Sequence, residues 1–146
     1  MRIPASTIHN RWHPAIEPVA RVRPGETIVL ETRDGLAGQL TRESTHTDCD
    51  APDLGTAHPL TGPVYVEGAE PGDVLEIEIL GYETPDFGVN CVIPGFGFLS
   101  DLFTEGFLVP WELDGTHARS TELPGIAVPA CVHAGVIGVA PSLELM

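Results

Sequence analysis

Four side chains in this sequence have the type and setting for acid–base or metal chemistry. Glu67 ends a predicted strand beside Gly68, a residue that lets a ligand or another backbone come close. Asp53 and His58 precede that strand and carry ligand types that suit zinc or another divalent ion. His133 is the one histidine in a run of small apolar residues, where a functional role and a hydrogen-bonded core position are equally supported. Each carboxylate has surface charge as its alternative.

A second set of polar residues lies in the long glycine-dotted segment between Arg33 and Pro59. If this segment is extended, His46, Asp48 and Asp50 fall on one side of the backbone and offer an imidazole and two carboxylates to a metal. The alternative, which we favour, is a solvated acidic loop. A loop this long in a compact domain is usually functional or disordered.

Nucleophilic catalysis has little support. The sequence contains no Gly-x-Ser-x-Gly elbow, so a serine mechanism of the α/β-hydrolase type is not indicated. Cys131 and His133 share a face if their segment is a strand, but two core residues are the more ordinary interpretation. Acid–base catalysis and metal-assisted catalysis remain as the candidate mechanisms.

Composition excludes several classes of partner. The 146 residues carry a formal charge of −14, with no lysine and seven arginines. Such a surface repels phosphates, so we expect neither nucleic acid nor membrane as a partner. No apolar run reaches the roughly 20 residues of a membrane span. The three cysteines are widely spaced and odd in number, which indicates reduced thiols and a cytoplasmic location.

The elements that must position these residues are strands joined by tight turns. Pro71-Gly72 suits the central positions of a type II turn, and Pro24-Gly25 repeats the pattern. After the Pro71-Gly72 turn, Leu75, Ile77 and Ile79 alternate with glutamates, which predicts a strand with one buried face. Pro110 predicts an edge strand among its neighbours. We predict a mainly β, sandwich or barrel-like single domain over residues 1–146, with few short helices.

The motifs resemble those of the acetamidase/formamidase family over nearly the whole chain. The stretch Glu67-Gly68-Ala69-Glu70-Pro71-Gly72-Asp73 is the most specific of them. It is accompanied, in matching order and spacing, by residues 9–14, the Pro24-Gly25 turn, and residues 58–63, 94–97 and 133–142.

The resemblance implies a β-rich hydrolase of short amides, such as formamide or acetamide, that releases ammonia and is often a metal-binding oligomer. It covers only the N-terminal half of such proteins, so we expect a second polypeptide to supply the C-terminal half. In amide hydrolysis Glu67 would be the catalytic base or a metal ligand, and His133 the proton donor. Asp53 and His58 would bind a divalent metal, zinc or calcium, or would orient other groups of the site. The alternative functions are a non-catalytic metal- or small-molecule-binding β domain and a structural half of a larger assembly.

Overall fold

The computed structural model describes residues 1–145 and is mainly β, as the sequence predicts. The described residues form ten short strands. Helical structure in the described residues is confined to three 3-10 helices of three or four residues, His46–Cys49, Leu54–Thr56 and Leu143–Leu145. No helix among residues 1–145 combines the length and apolar character needed to cross a bilayer.

The chain divides into two compact units, each built from separate stretches of sequence. The first unit comprises residues 1–37, 55–80 and the C-terminal stretch from Ala134, and the second comprises residues 38–54 and 81–133. The predicted single domain over the whole chain stays a prediction.

The first unit contains three two-stranded pairings. The strands are β1 (Arg2–Ile3), β2 (Ile8–His9), β3 (Ala20–Val22), β4 (Val29–Leu30), β5 (Leu60–Thr61) and β6 (Val64–Val66). Two of the pairings are parallel, β1 with β4 and β3 with β6, and one is antiparallel, β2 with β5. Ile3 in β1 and Val22 in β3 are buried hydrophobic residues of this unit.

Both predicted Pro-Gly turns form. Gly72 has a φ of 104° and the Asp73 amide donates to the Glu70 carbonyl at 3.0 Å, as a type II turn requires. The acidic residue closing the turn has a role of its own, because Asp73 Oδ2 accepts the Glu70 amide at 2.9 Å. The Pro24-Gly25 turn repeats this arrangement, with Glu26 Oε2 accepting the Arg23 amide at 2.9 Å.

The prediction of a strand after the Pro71-Gly72 turn is wrong for the described residues. Residues 73–80 pair with no strand in the part of the chain that the structure describes. Leu75, Ile77 and Ile79, expected to be buried, are 41–51% exposed. Alternation fixes which residues share a face, but burial needs a second layer, and residues 1–145 do not cover this one.

The second unit contains an antiparallel meander. Its strands are β7 (Phe87–Val92), β8 (Phe107–Leu113), β9 (His117–Arg119) and β10 (Ala127–Pro129), and they lie in the order β10–β9–β8–β7. Leu108 in β8, Leu40 and Cys49 are its buried hydrophobic residues.

Pro110 lies inside β8, between two neighbouring strands, and not in an edge strand as predicted. Its register partner in β7 is Val89, whereas β9 pairs only with Glu112 and Leu113. The β8–β9 ladder therefore needs no hydrogen bond from a backbone amide at position 110, and a proline is tolerated there.

The apolar stretch near the C-terminus is also more exposed than predicted. Val136, Ile137 and Val139 are 50–67% exposed, although the sequence predicts that this run is buried. Gly138 is the close contact in this stretch: a β-carbon there would lie 3.2 Å from the ring of Trp12. A glycine at 138 therefore allows the indole to pack against the backbone.

Candidate functional site

Glu67 stands at the end of β6, where its backbone is fixed. The Glu67 amide donates to the Val22 carbonyl at 2.8 Å, which extends the β3–β6 ladder by one step. Its carboxylate accepts a hydrogen bond from Arg23 Nε at 3.3 Å while the side chain stays 44% exposed. Gly68 follows with a φ of 81° and turns the chain away. The result is a water-accessible carboxylate on a hydrogen-bonded strand end.

His58 has a backbone conformation that few non-glycine residues adopt. Its φ is 55°, in the left-handed region, and its amide donates to the Gly35 carbonyl at 2.7 Å. The ring lies over Gly35, with Nδ1 3.7 Å from where a β-carbon at that position would stand. Residues held in this region cost about 1–3 kcal/mol and are concentrated at functional sites. Nothing in the sequence signalled this strain.

The other two predicted residues belong to the second unit. Asp53 is held through its main chain, because its amide donates to Gln39 Oε1 at 2.7 Å and its carbonyl accepts from Gln39 Nε2 at 3.0 Å. His133 follows β10 and is exposed. The two units thus divide the predicted residues evenly, with Glu67 and His58 in the first and Asp53 and His133 in the second.

The extended backbone assumed for a metal site at His46, Asp48 and Asp50 does not form, whereas the exposure of all three residues agrees with the favoured interpretation of a solvated acidic segment. They lie on and just after the 3-10 helix His46–Cys49 instead of along an extended strand, and each has a protein partner. His46 Nδ1 accepts the Leu108 amide at 2.9 Å, Asp48 Oδ2 accepts the Thr45 amide at 2.6 Å, and Asp50 Oδ1 accepts the Gly106 amide at 3.1 Å.

The segment is a solvent-exposed helical turn that is hydrogen-bonded to Gly106 and Leu108. The His46 imidazole also stacks on Phe107, with ring centroids 4.7 Å apart and planes 9° from parallel. The sequence held one signal for it: Thr45-His46-Thr47-Asp48 has the spacing of a helix-capping motif. Asp48 Oδ2 accepts hydrogen bonds from the Thr45 amide and hydroxyl. These bonds hold the pKa of Asp48 below its usual range.

A buried thiol lies behind this turn. Cys49 is fully buried, and burial raises the pKa of its thiol to about 11. Cys91 in β7 is half-buried, and burial raises the pKa of its thiol as well. Both thiols are thus held protonated near neutral pH. This favours a packing role over nucleophilic chemistry.

Residues 1–145 contain no complete ligand set for a metal ion. Within residues 1–145, no three His, Cys, Asp or Glu side chains converge in a way that could hold an ion. A cleft of about 380 Å³ in the first unit is lined by other residues: Met1, Arg21, Glu26, Thr27 and Ile28. We therefore derive no catalytic step through a metal.

Comparison with known proteins shows the family to which this chain belongs. The family model of the acetamidase/formamidase family matches residues 2–146. The chain belongs to the acetamidase/formamidase family. The family resemblance carried by the Glu67–Asp73 motif is thereby confirmed.

Two curated members of the acetamidase/formamidase family are similar to this chain. A formamidase of Methylophilus methylotrophus is 38% identical over 145 residues, which cover 95% of this chain and 36% of that protein. An acetamidase of Mycolicibacterium smegmatis is 35% identical over 159 residues, which cover 100% of this chain and 39% of that protein. This chain therefore spans well under half the length of both relatives.

Solved structures agree with the family assignment. A γ-lactamase from Delftia acidovorans superposes with a TM-score of 0.83 at 34% identity, covering 95% of this chain and 36% of that one. An acetamidase from Bacillus halodurans superposes with a TM-score of 0.78 at 29% identity, covering 88% of this chain and 42% of that one. These neighbours have amidase folds, which supports the mainly β fold described above.

Proposed function

We propose that this chain is one part of an amide hydrolase that acts on short linear amides such as formamide or acetamide. The observation that carries the proposal is the match to a formamidase along 95% of this chain. The reaction adds water across the amide carbon and breaks the C–N bond, so that formamide gives formate and ammonia.

We further propose that the active enzyme needs a second polypeptide. This chain matches only 36–39% of the length of its curated relatives. We propose that it corresponds to their N-terminal part. The exposed apolar residues of both units, among them Val74, Phe98 and Val139, support association. The unmatched part of the Methylophilus methylotrophus formamidase, produced as a separate chain (the complement polypeptide), serves to test this assembly.

Glu67 is the proposed general base. Attack on an amide carbon requires a group that takes a proton from water, and a carboxylate within hydrogen-bond reach of that water can do so. The fixed strand end and the open surroundings of Gly68 support this role, because a substrate can approach the backbone there. Arg23 holds the carboxylate from one side.

His133 is the proposed donor of the proton that the leaving nitrogen needs. An imidazole supplies that proton near neutral pH, which a surface carboxylate does poorly.

Asp53 and His58 stay our predicted ligands of a divalent ion, zinc or calcium, through oxygen and nitrogen atoms. The three free cysteines support a cytoplasmic location.

The test is ammonia release from formamide and acetamide, measured for this chain, for the complement polypeptide and for the two together. We expect release only from the combination. Metal analysis of the same samples, with Asp53→Ala and His58→Ala variants, tests the ligand assignment separately. A purified combination that binds both parts but releases no ammonia would contradict the proposed activity.

A further inference from the structure

The segment Val74–Leu80 presents the pattern of a strand without the pairing of one. Val74 is 96% exposed and Leu80 is 68% exposed, while Leu75, Ile77 and Ile79 are roughly half exposed. No backbone hydrogen bond joins residues 74–80 to another segment within residues 1–145. An apolar, unpaired strand edge is a template for another strand.

A second copy of this chain is a poor occupant of that edge. Glu76 and Glu78 alternate with the apolar residues. If two copies pair and keep their apolar residues on one face, every register that overlaps more than three of these seven residues sets a glutamate opposite a glutamate. Like charges directly opposite each other destabilise a pair. A shift by one residue would turn the apolar side chains to the other face.

We propose that residues 74–80 are a docking strand that pairs with an extended segment of the second polypeptide proposed above. The partner segment has apolar side chains alternating with Lys or Arg that face Glu76 and Glu78. The matched relatives supply the length argument, because 64% of the formamidase lies outside its match to this chain (100% minus 36%). This inference rests on the proposed need for a partner, but it concerns binding and not catalysis.

Charge complementarity explains two features of this chain together. The chain has a net charge of −14 and contains no lysine. Such a chain repels copies of itself and attracts a basic segment. The glutamates on the docking strand thus disfavour self-association while leaving the edge open to the intended partner, which is how natural edge strands avoid aggregation.

The experiment measures the affinity of this chain for the complement polypeptide by calorimetry, with Ile77→Pro as the test variant. Proline removes the amide proton at position 77 and obstructs a ladder, so we expect affinity to fall on the order of 100-fold. Ile77→Ala keeps the amide and should lose less. Thr121→Ala, which truncates an exposed polar side chain elsewhere, should bind like the unmodified chain.

Two further readouts make the result decisive. Because residues 74–80 have no ladder partner within the described residues, Ile77→Pro should leave the urea midpoint of the isolated chain unchanged. Amides 74–80 should gain protection from hydrogen exchange when the complement polypeptide is added. The double variant Glu76→Lys/Glu78→Lys should weaken binding to the complement polypeptide without promoting self-association, because lysines would then face lysines in a pair of copies.

The proposal is overturned if the complement polypeptide does not bind, or if it binds Ile77→Pro as tightly as the unmodified chain. It is also overturned if amides 74–80 stay unprotected in the complex. Binding that needs residues 74–80 without ammonia release would support the docking strand and refute the proposed activity, so the two failures are distinguishable.

Discussion

Replacing Gly106 by alanine should destabilise the second unit strongly. A β-carbon at position 106 would lie 2.6 Å from the His46 carbonyl oxygen and 3.1 Å from Cys49 Cβ, and it would overlap the Asp50 carboxylate at 2.4 Å. Two of these neighbours are main chain or Cβ atoms, so no side-chain rotation relieves the overlap. The whole 3-10 helix His46–Cys49 must move from β8.

The expected cost follows from what that movement breaks. Overpacking of this kind costs about 1–3 kcal/mol. The hydrogen bond from the Gly106 amide to Asp50 Oδ1 at 3.1 Å would weaken as well, which adds about 1 kcal/mol. We therefore expect Gly106→Ala to lower the free energy of unfolding by about 2–4 kcal/mol.

Urea denaturation of the isolated chain measures this change. Gly81→Ala is the matched control, because a β-carbon there meets nothing within 4 Å, and it should shift the free energy of unfolding by less than about 0.5 kcal/mol. In an Asp50→Ala background most of the loss should persist, since the His46 carbonyl remains in place. An unchanged midpoint for Gly106→Ala would refute the close packing of the helix on β8.

Three smaller predictions concern the turns and thiols. Gly72→Val should destabilise by about 1–3 kcal/mol, because a β-branched residue resists the positive φ at this position; equal denaturation midpoints would argue against the type II turn. Asp114 accepts hydrogen bonds from Thr116 and from the His117 amide, and these bonds hold the pKa of Asp114 well below its usual range. Its contribution to stability is therefore present above the unfolded pKa, about 3.9, and is lost as the pH falls below that value. Asp114→Asn should reduce stability at pH 7 and flatten the acid limb of a stability–pH curve, and an unchanged limb would contradict the assignment. Cys49 should resist thiol reagents at pH 8 until denaturant is added while exposed Cys131 reacts at once, and equal reaction rates would contradict its burial.

Turn chemistry was the part of the fold that the sequence specified best. Pro71-Gly72 and Pro24-Gly25 each form the predicted turn, because proline and glycine set their own backbone angles locally. Pairing was harder to foresee. The strands β3 and β4 flank the Pro24-Gly25 turn but do not pair with each other: β3 pairs with β6 and β4 with β1. A tight turn reverses the chain without deciding which strands meet.

The burial of a side chain depends on segments distant in the sequence, which a local pattern does not reveal. Leu75, Ile77 and Ile79 alternate as a half-buried strand should, yet their exposure is set by what covers them. Pro110 misled for a similar reason, since its tolerance depends on β9 ending its pairing at Glu112.

The candidate site was predicted by residue type and motif more than by geometry. The setting of Glu67 at a strand end beside a turning glycine was readable from the sequence, and the structure has it there. The left-handed backbone of His58 was not readable, because it depends on a hydrogen bond to Gly35, 23 positions earlier (58 minus 35). The helical turn at His46 was readable only through its capping motif.

The rate of ammonia release by the complex of this chain with the complement polypeptide, compared between unmodified Glu67 and Glu67→Gln, tests the central claim most directly. The substitution keeps the shape and removes the base, so we expect the rate to fall about 10²–10⁴-fold while binding of the complement polypeptide is unchanged. Glu70→Gln, three positions along in the same motif, should retain the rate. A Glu67→Gln complex that releases ammonia as fast as the unmodified one would contradict the account.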